Sequence, residues 1–200
     1  MTHQSVFSPT RIAVGILGLL LLPGCASVSV DTEKDLVGTA RLAPPSIIYV
    51  KRFDTTNGNW EGPVAGESAR ARIAAELAEN IESRLTEVVP ARILYEESDQ
   101  PTDGWLVTGE FLRVNPGGKW TRMMIGLGAG GSKFETKVRV FDLTRSATDP
   151  IMVFNTTGGS NLEGGSATFN DATDDDIDRT AREIRDLMQE KYRVLSGQST

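Results

Sequence analysis

The chain holds one cysteine, Cys25, and one histidine, His3. A single thiol excludes a disulfide framework within the chain. His3 lies inside a segment expected to be removed on export, and Cys25 is expected to be acylated, so the mature protein offers neither imidazole nor free thiol. That excludes Ser-His-Asp and Cys-His catalysis and ordinary His- or Cys-based zinc sites. Long basic runs are missing too: no stretch of Lys and Arg exceeds two residues, and the net charge is −6. An acidic chain without a concentrated basic face is not expected to bind nucleic acid. The acids Asp171, Asp174, Asp175, Asp176 and Asp178 are nearly consecutive and lack the alternating spacing around a glycine that a calcium loop needs, so no metal site is expected there. With 39% hydrophobic and 24% charged residues, the remaining composition is that of an ordinary globular domain.

The start of the chain reads as an address. Arg11 is followed by an apolar run from Ile12 to Leu22, far short of the ~20 residues a helix needs to span a bilayer, so residues 1–24 are expected to be a signal peptide. Leu22-Pro23-Gly24-Cys25 resembles the bacterial lipobox, in which a small residue precedes a cysteine that is thioether-linked to diacylglycerol and becomes the new N-terminus. The resemblance makes Cys25 the lipidation site, with palmitate-type chains as the anchor. Pro23 departs from the usual small residue and bears on the rate of cleavage. Ala26, where inner-membrane lipoproteins often carry Asp, implies delivery to the periplasmic face of the outer membrane. Two or three buried acyl chains, at about 0.8 kcal/mol per methylene, hold a protein effectively permanently.

Residues 25–45 are small, polar and charged, close on Pro44-Pro45, and read as the lipidated cysteine plus a flexible tether. Residues 46–200 then form a single α/β (α+β) domain. A short apolar strand is expected at 46–50. Ile73, Leu77, Ile81, Leu85 and Val88 recur at helical spacing and predict a helix over 67–88, stopped by Pro90. Strands are expected at 91–96, at 105–114 with a bulge at Gly109, at 133–143 and at 151–157. Along 133–143, Phe134, Thr136, Val138 and Val140 alternate with charged residues. Thr173 is the expected N-cap of a second helix whose first-turn acids Asp174, Asp175 and Asp176 suit its positive end, and whose buried stripe runs through Ile177, Ala181, Ile184, Met188, Tyr192 and Leu195. The pattern predicts a two-layer sandwich: a mixed or largely antiparallel sheet of four to five strands with two helices on one face.

Gly126-Leu127-Gly128-Ala129-Gly130-Gly131 formally contains a dinucleotide fingerprint. A phosphate site needs a helix directly after such glycines, and here an alternating strand follows, so neither a nucleotide nor any other cofactor is expected. Arg122, the Ile125–Ser132 glycine segment, the strand after it and Asp142-Leu143-Thr144 together resemble the bacterial proteins grouped as domain of unknown function 4410, many of them lipoproteins. The resemblance implies an architecture and an envelope location and carries no catalytic residue.

Trp120, Arg122, Met123, Met124 and Leu127, interleaved with glycines, are the candidate partner contact, because Met and Trp on a pliant backbone suit adaptable recognition. The expectation is a non-enzymatic, lipid-anchored envelope protein, a binding or assembly accessory that meets a protein, glycan or lipid partner beside the membrane. The competing expectation is a carboxylate-dependent envelope hydrolase acting on glycans, for which Glu110, Glu135 and Glu163 are the available acids.

Overall fold

The computed structural model describes residues 28–39, 42–95, 100–117, 131–159 and 169–198. The element order is β1 (Ser29–Asp35), β2 (Ile48–Lys51), β3 (Asn59–Trp60), a 3-10 turn at Gly62–Val64, α1 (Glu67–Leu85), β4 (Ala91–Leu94), β5 (Trp105–Asn115), β6 (Lys133–Asp142), β7 (Met152–Gly158) and α2 (Phe169–Ser196). The strands make one sheet in the order β1-β7-β6-β5-β2-β4, with β3 paired beside β2 along the same edge of β5. The pairs β1–β7, β7–β6 and β6–β5 are antiparallel, whereas β2 pairs in parallel with β4 and β5. The α+β class and the mixed sheet are as expected; the strand number is higher.

The two extra strands had opposite disguises. β3 is two residues long and too short to show a period. β1, Ser-Val-Asp-Thr-Glu-Lys-Asp, falls within the expected tether at 25–45, and that expectation is corrected over Ser29–Asp35. Its side chains are polar because it is an edge strand with mostly exposed side chains, held by backbone pairing to β7 from Ser29↔Thr157 to Asp35↔Met152. A polar edge strand and a polar tether look alike in composition.

Along β5, Trp105, Val107, Gly109 and Phe111 point to the buried side. The register then shifts between Phe111 and Arg113, leaving Leu112 as an extra, exposed residue. This bulge resets the alternation so that Val114 turns inward and Arg113 outward. The bulge expected at Gly109 is therefore displaced. Gly109 is regular in pairing, and its missing side chain has another cause: a Cβ there would overlap the carbonyl of Lys137 and come within 2.7 Å of the Phe53 ring.

Both helices pack on the sheet and on each other, α1 against β2 and β4, α2 against β6 and β7. Ile73, Leu77 and Ile81 of α1 share one core with Ile177, Ile184 and Met188 of α2. Helix α1 ends at Leu85, earlier than expected, in a turn through Val89. Helix α2 begins at Phe169, so Thr173 is a buried residue inside it rather than its N-cap. Asn170 and Asp171, themselves start-favouring residue types, stand upstream. Asp176 is also buried inside the helix, where its carboxylate is ion-paired with Arg179 at 2.6 Å.

Candidate functional site

The sheet has two ends of different character. At one end lie Gly104, the β6–β7 turn at 143–151 and the last turns of both helices. At the other end β1 starts, β5 stops, β6 starts and β7 stops. There Val28, buried, packs against Gly158, whose Cβ would lie 3.0 Å from a Val28 methyl. Gly158 pairs with Phe134, Phe134 with Val114, and Val114 with Trp60, so one row near this end crosses β7, β6, β5 and β3, with the pair of Asn115 and Lys133 beyond it.

This end is braced by aromatic rings. Phe111 touches Trp60 at a ring separation of 5.0 Å and meets Phe134 edge-on at 5.7 Å. The Trp60 indole N–H donates to the carbonyl of Thr55, and the Arg70 guanidinium lies 5.5 Å over its ring while donating to the Ala65 carbonyl. Beside Trp60, the Glu61 carboxylate ties two residues of β5 together. One oxygen accepts from Arg113 at 3.0 Å and the other from the Asn115 amide at 2.7 Å. The buried Asn115 in turn accepts from the backbone N–H of Gly117 at 2.8 Å, where φ of +68° suits glycine. On the other side Ser132 is buried, and Gly159 sits so close that a Cβ would overlap the Ser132 carbonyl. None of Trp60, Glu61, Arg70 and Asn115 stood out in the sequence. The available signal was a Trp inside the turn-rich stretch Asn57 to Pro63.

Gly117 and Gly131 bracket the segment of the expected partner contact, and both stand at this end. Trp120, Arg122, Met123, Met124 and Leu127 lie outside the described residues, as does Cys25.

The sheet face away from the helices carries a polar ladder across four strands. Glu110 of β5 is ion-paired with Arg139 of β6. Lys137 of β6 donates to Glu33 of β1 at 2.6 Å, and Asn155 of β7 donates to the other Glu33 oxygen at 2.7 Å. The hydrogen bond from Lys137, seconded by that from Asn155, holds the Glu33 carboxyl below the ordinary Glu range. A general acid working near neutrality needs a raised value, so Glu33 is tuned the wrong way for that work. Of the acids considered for glycan hydrolysis, Glu110 is taken up by Arg139, Glu135 pairs in register opposite Arg113, and Glu163 lies outside the described residues. Among the described residues no group of three or more His, Cys, Asp or Glu could hold a metal ion, and no helix is long and apolar enough to cross a membrane.

The architecture is thus an open mixed sheet with two helices over one face. The chain belongs to the family described as Domain of unknown function (DUF4410), whose model matches residues 48–190, as the glycine segment and the strand after it led one to expect. Solved structures of similar shape include a PelC dodecamer from Paraburkholderia phytofirmans, at 10% identity and a TM-score of 0.47, covering 79% of this chain and 97% of that one. Another is the hypothetical protein CT253 from Chlamydia trachomatis, at 14% identity and a TM-score of 0.49, covering 76% and 99%. No curated protein matches.

Proposed function

We propose that this protein is a lipid-anchored component of the bacterial cell envelope, acylated on Cys25 and delivered to the periplasmic face of the outer membrane, where it serves as a binding or assembly accessory. The observation that carries the reading is the arrangement of the N-terminal region: a short apolar export segment, a lipobox-like cysteine that is the chain's one thiol, and then, from Ser29, a folded strand. Its partner is an envelope protein, glycan or lipid met beside the membrane. Trp120, Arg122, Met123, Met124 and Leu127 supply the contact, on a segment whose two ends, Gly117 and Gly131, stand where β1 also begins.

The test is the mass of the native protein purified from its envelope. The expected chain starts at Cys25 and carries a diacylglyceryl group, and Cys25→Ala leaves the precursor uncleaved and without added mass. A native chain that begins at Met1, or one free of acyl mass, sinks the anchor. The contact is tested separately by Trp120→Asp and Met124→Asp, which should abolish crosslinking to envelope partners while leaving the melting curve intact.

A further inference from the structure

We infer that the sheet end marked by Ser29, Lys133 and Thr157 is held against the lipid headgroups, with the β6–β7 turn pointing away from the membrane. The inference rests on the proposed acylation of Cys25 and adds to it an orientation that a lipid anchor alone does not impose.

The argument is one of reach. An extended chain covers at most about 3.3–3.6 Å per residue, so Cys25 lies no more than about 11 Å from Val28. Val28 is no loose end. It is buried against Gly158, and the residues after it are paired to β7 along the whole of β1. The acyl chains fix the Cys25 sulfur at the bilayer surface, and the leash is about a third of the length of β6, which at about 3.3 Å per residue spans roughly 30 Å. The domain therefore cannot turn its far end to the membrane without stripping β1 from the sheet. The flexible tether expected over residues 25–45 does not lengthen this leash, because Ser29–Asp35 within it is a strand of the domain and leaves only the residues before it as a leash. At its far end β1 is further secured by an ion pair between Asp35 and Lys191 of α2 at 3.0 Å.

Acylation leaves no free thiol in the native protein, so one introduced cysteine carries one fluorophore. The acylated full-length protein, bearing Thr157→Cys, Lys133→Cys or Ala147→Cys, is reconstituted in phosphatidylcholine vesicles with nitroxide-labelled headgroups. All three positions are exposed, the first two at the anchor end and Ala147 in the β6–β7 turn. Labels at 157 and 133 should lose most of their emission and the label at 147 should keep it. Equal quenching at all three, or stronger quenching at 147, overturns the orientation. A flexible insertion of ~15 Gly and Ser residues between Ala26 and Ser27, adding roughly 20 Å of reach, should restore emission at 157 and 133; unchanged quenching would show that the leash is not what holds this end down. Flotation and intact mass are read first on each sample. A protein without acyl mass that fails to float refutes the lipid anchor itself, a result distinct from a floating protein with the wrong quenching pattern.

Discussion

Arg84 of α1 is ion-paired with Asp178 of α2, which also accepts from Arg182 at 2.6 Å, so a carboxylate within α2 is clamped by the last turn of α1 and by the next turn of its own helix. Burial works against the Asp178 charge. The hydrogen bonds and charges of Arg84 and then Arg182 outweigh it, and its pKa falls below the ordinary Asp value.

A depressed carboxylate contributes stability that is fully present above its unfolded value of about 3.9 and is lost as pH falls through the folded value. The Asp178 side chain is 40% exposed, so its pair is worth no more than about 1 kcal/mol. Arg84→Ala should lower unfolding free energy by roughly that amount at neutral pH and by progressively less as pH falls through the depressed folded-state value of Asp178. Urea unfolding followed from neutral pH into the acid range checks this, and a loss that stays the same throughout would rule out the ion pair as the cause.

Thr136 and Thr156 share a buried hydrogen bond of 2.7 Å between their hydroxyls inside the β6–β7 pair. Replacing either one with Val strands the other hydroxyl in the core, at about 1–3 kcal/mol, whereas replacing both removes donor and acceptor together and should be nearly neutral. A double-mutant cycle is expected to give a coupling energy of about 1 kcal/mol or more. Simple additivity of the two single losses would contradict the pairing.

Glu61's two partners on β5 differ in exposure. Arg113 is about half in water, its side chain 41% exposed, whereas Asn115 is buried. Arg113→Ala should therefore cost under about 1 kcal/mol, and Glu61→Ala, which leaves the Asn115 amide without its carboxylate, about 1–3 kcal/mol. Thermal unfolding of the two variants decides the order; Arg113→Ala as the costlier change would mean that charge, not the buried amide, sets the value of this cluster.

A chain beginning at Ser46, the domain start expected from composition, lacks β1. It should melt lower than a chain beginning at Ala26 and should aggregate, because β7 becomes an unprotected edge and Lys137 and Asn155 lose Glu33. Light scattering during a melt reads both effects. Identical behaviour of the two chains would show that β1 is dispensable.

Much of the fold was legible because burial on one side leaves a period. Ile73, Leu77 and Ile81 mark α1, Ile177, Ile184 and Met188 mark α2, and the alternation of Phe134, Thr136, Val138 and Val140 marks β6. The bracing residues of the candidate end were not legible. Trp60, Glu61 and Asn115 meet only because β3 pairs with the end of β5, and a contact between residues far apart in sequence leaves no local pattern.

By itself, the amino-acid order determined the short apolar run at 12–22, the lone thiol at 25, both helices and the alternating strands, since each depends on neighbours within a few residues. Tertiary structure alone decided that Ser29–Asp35 is a strand and that the sheet end where it begins is the one carrying Gly117 and Gly131. A polar edge strand gains its order from backbone hydrogen bonds to a partner more than a hundred residues away, and those bonds are indifferent to side-chain type.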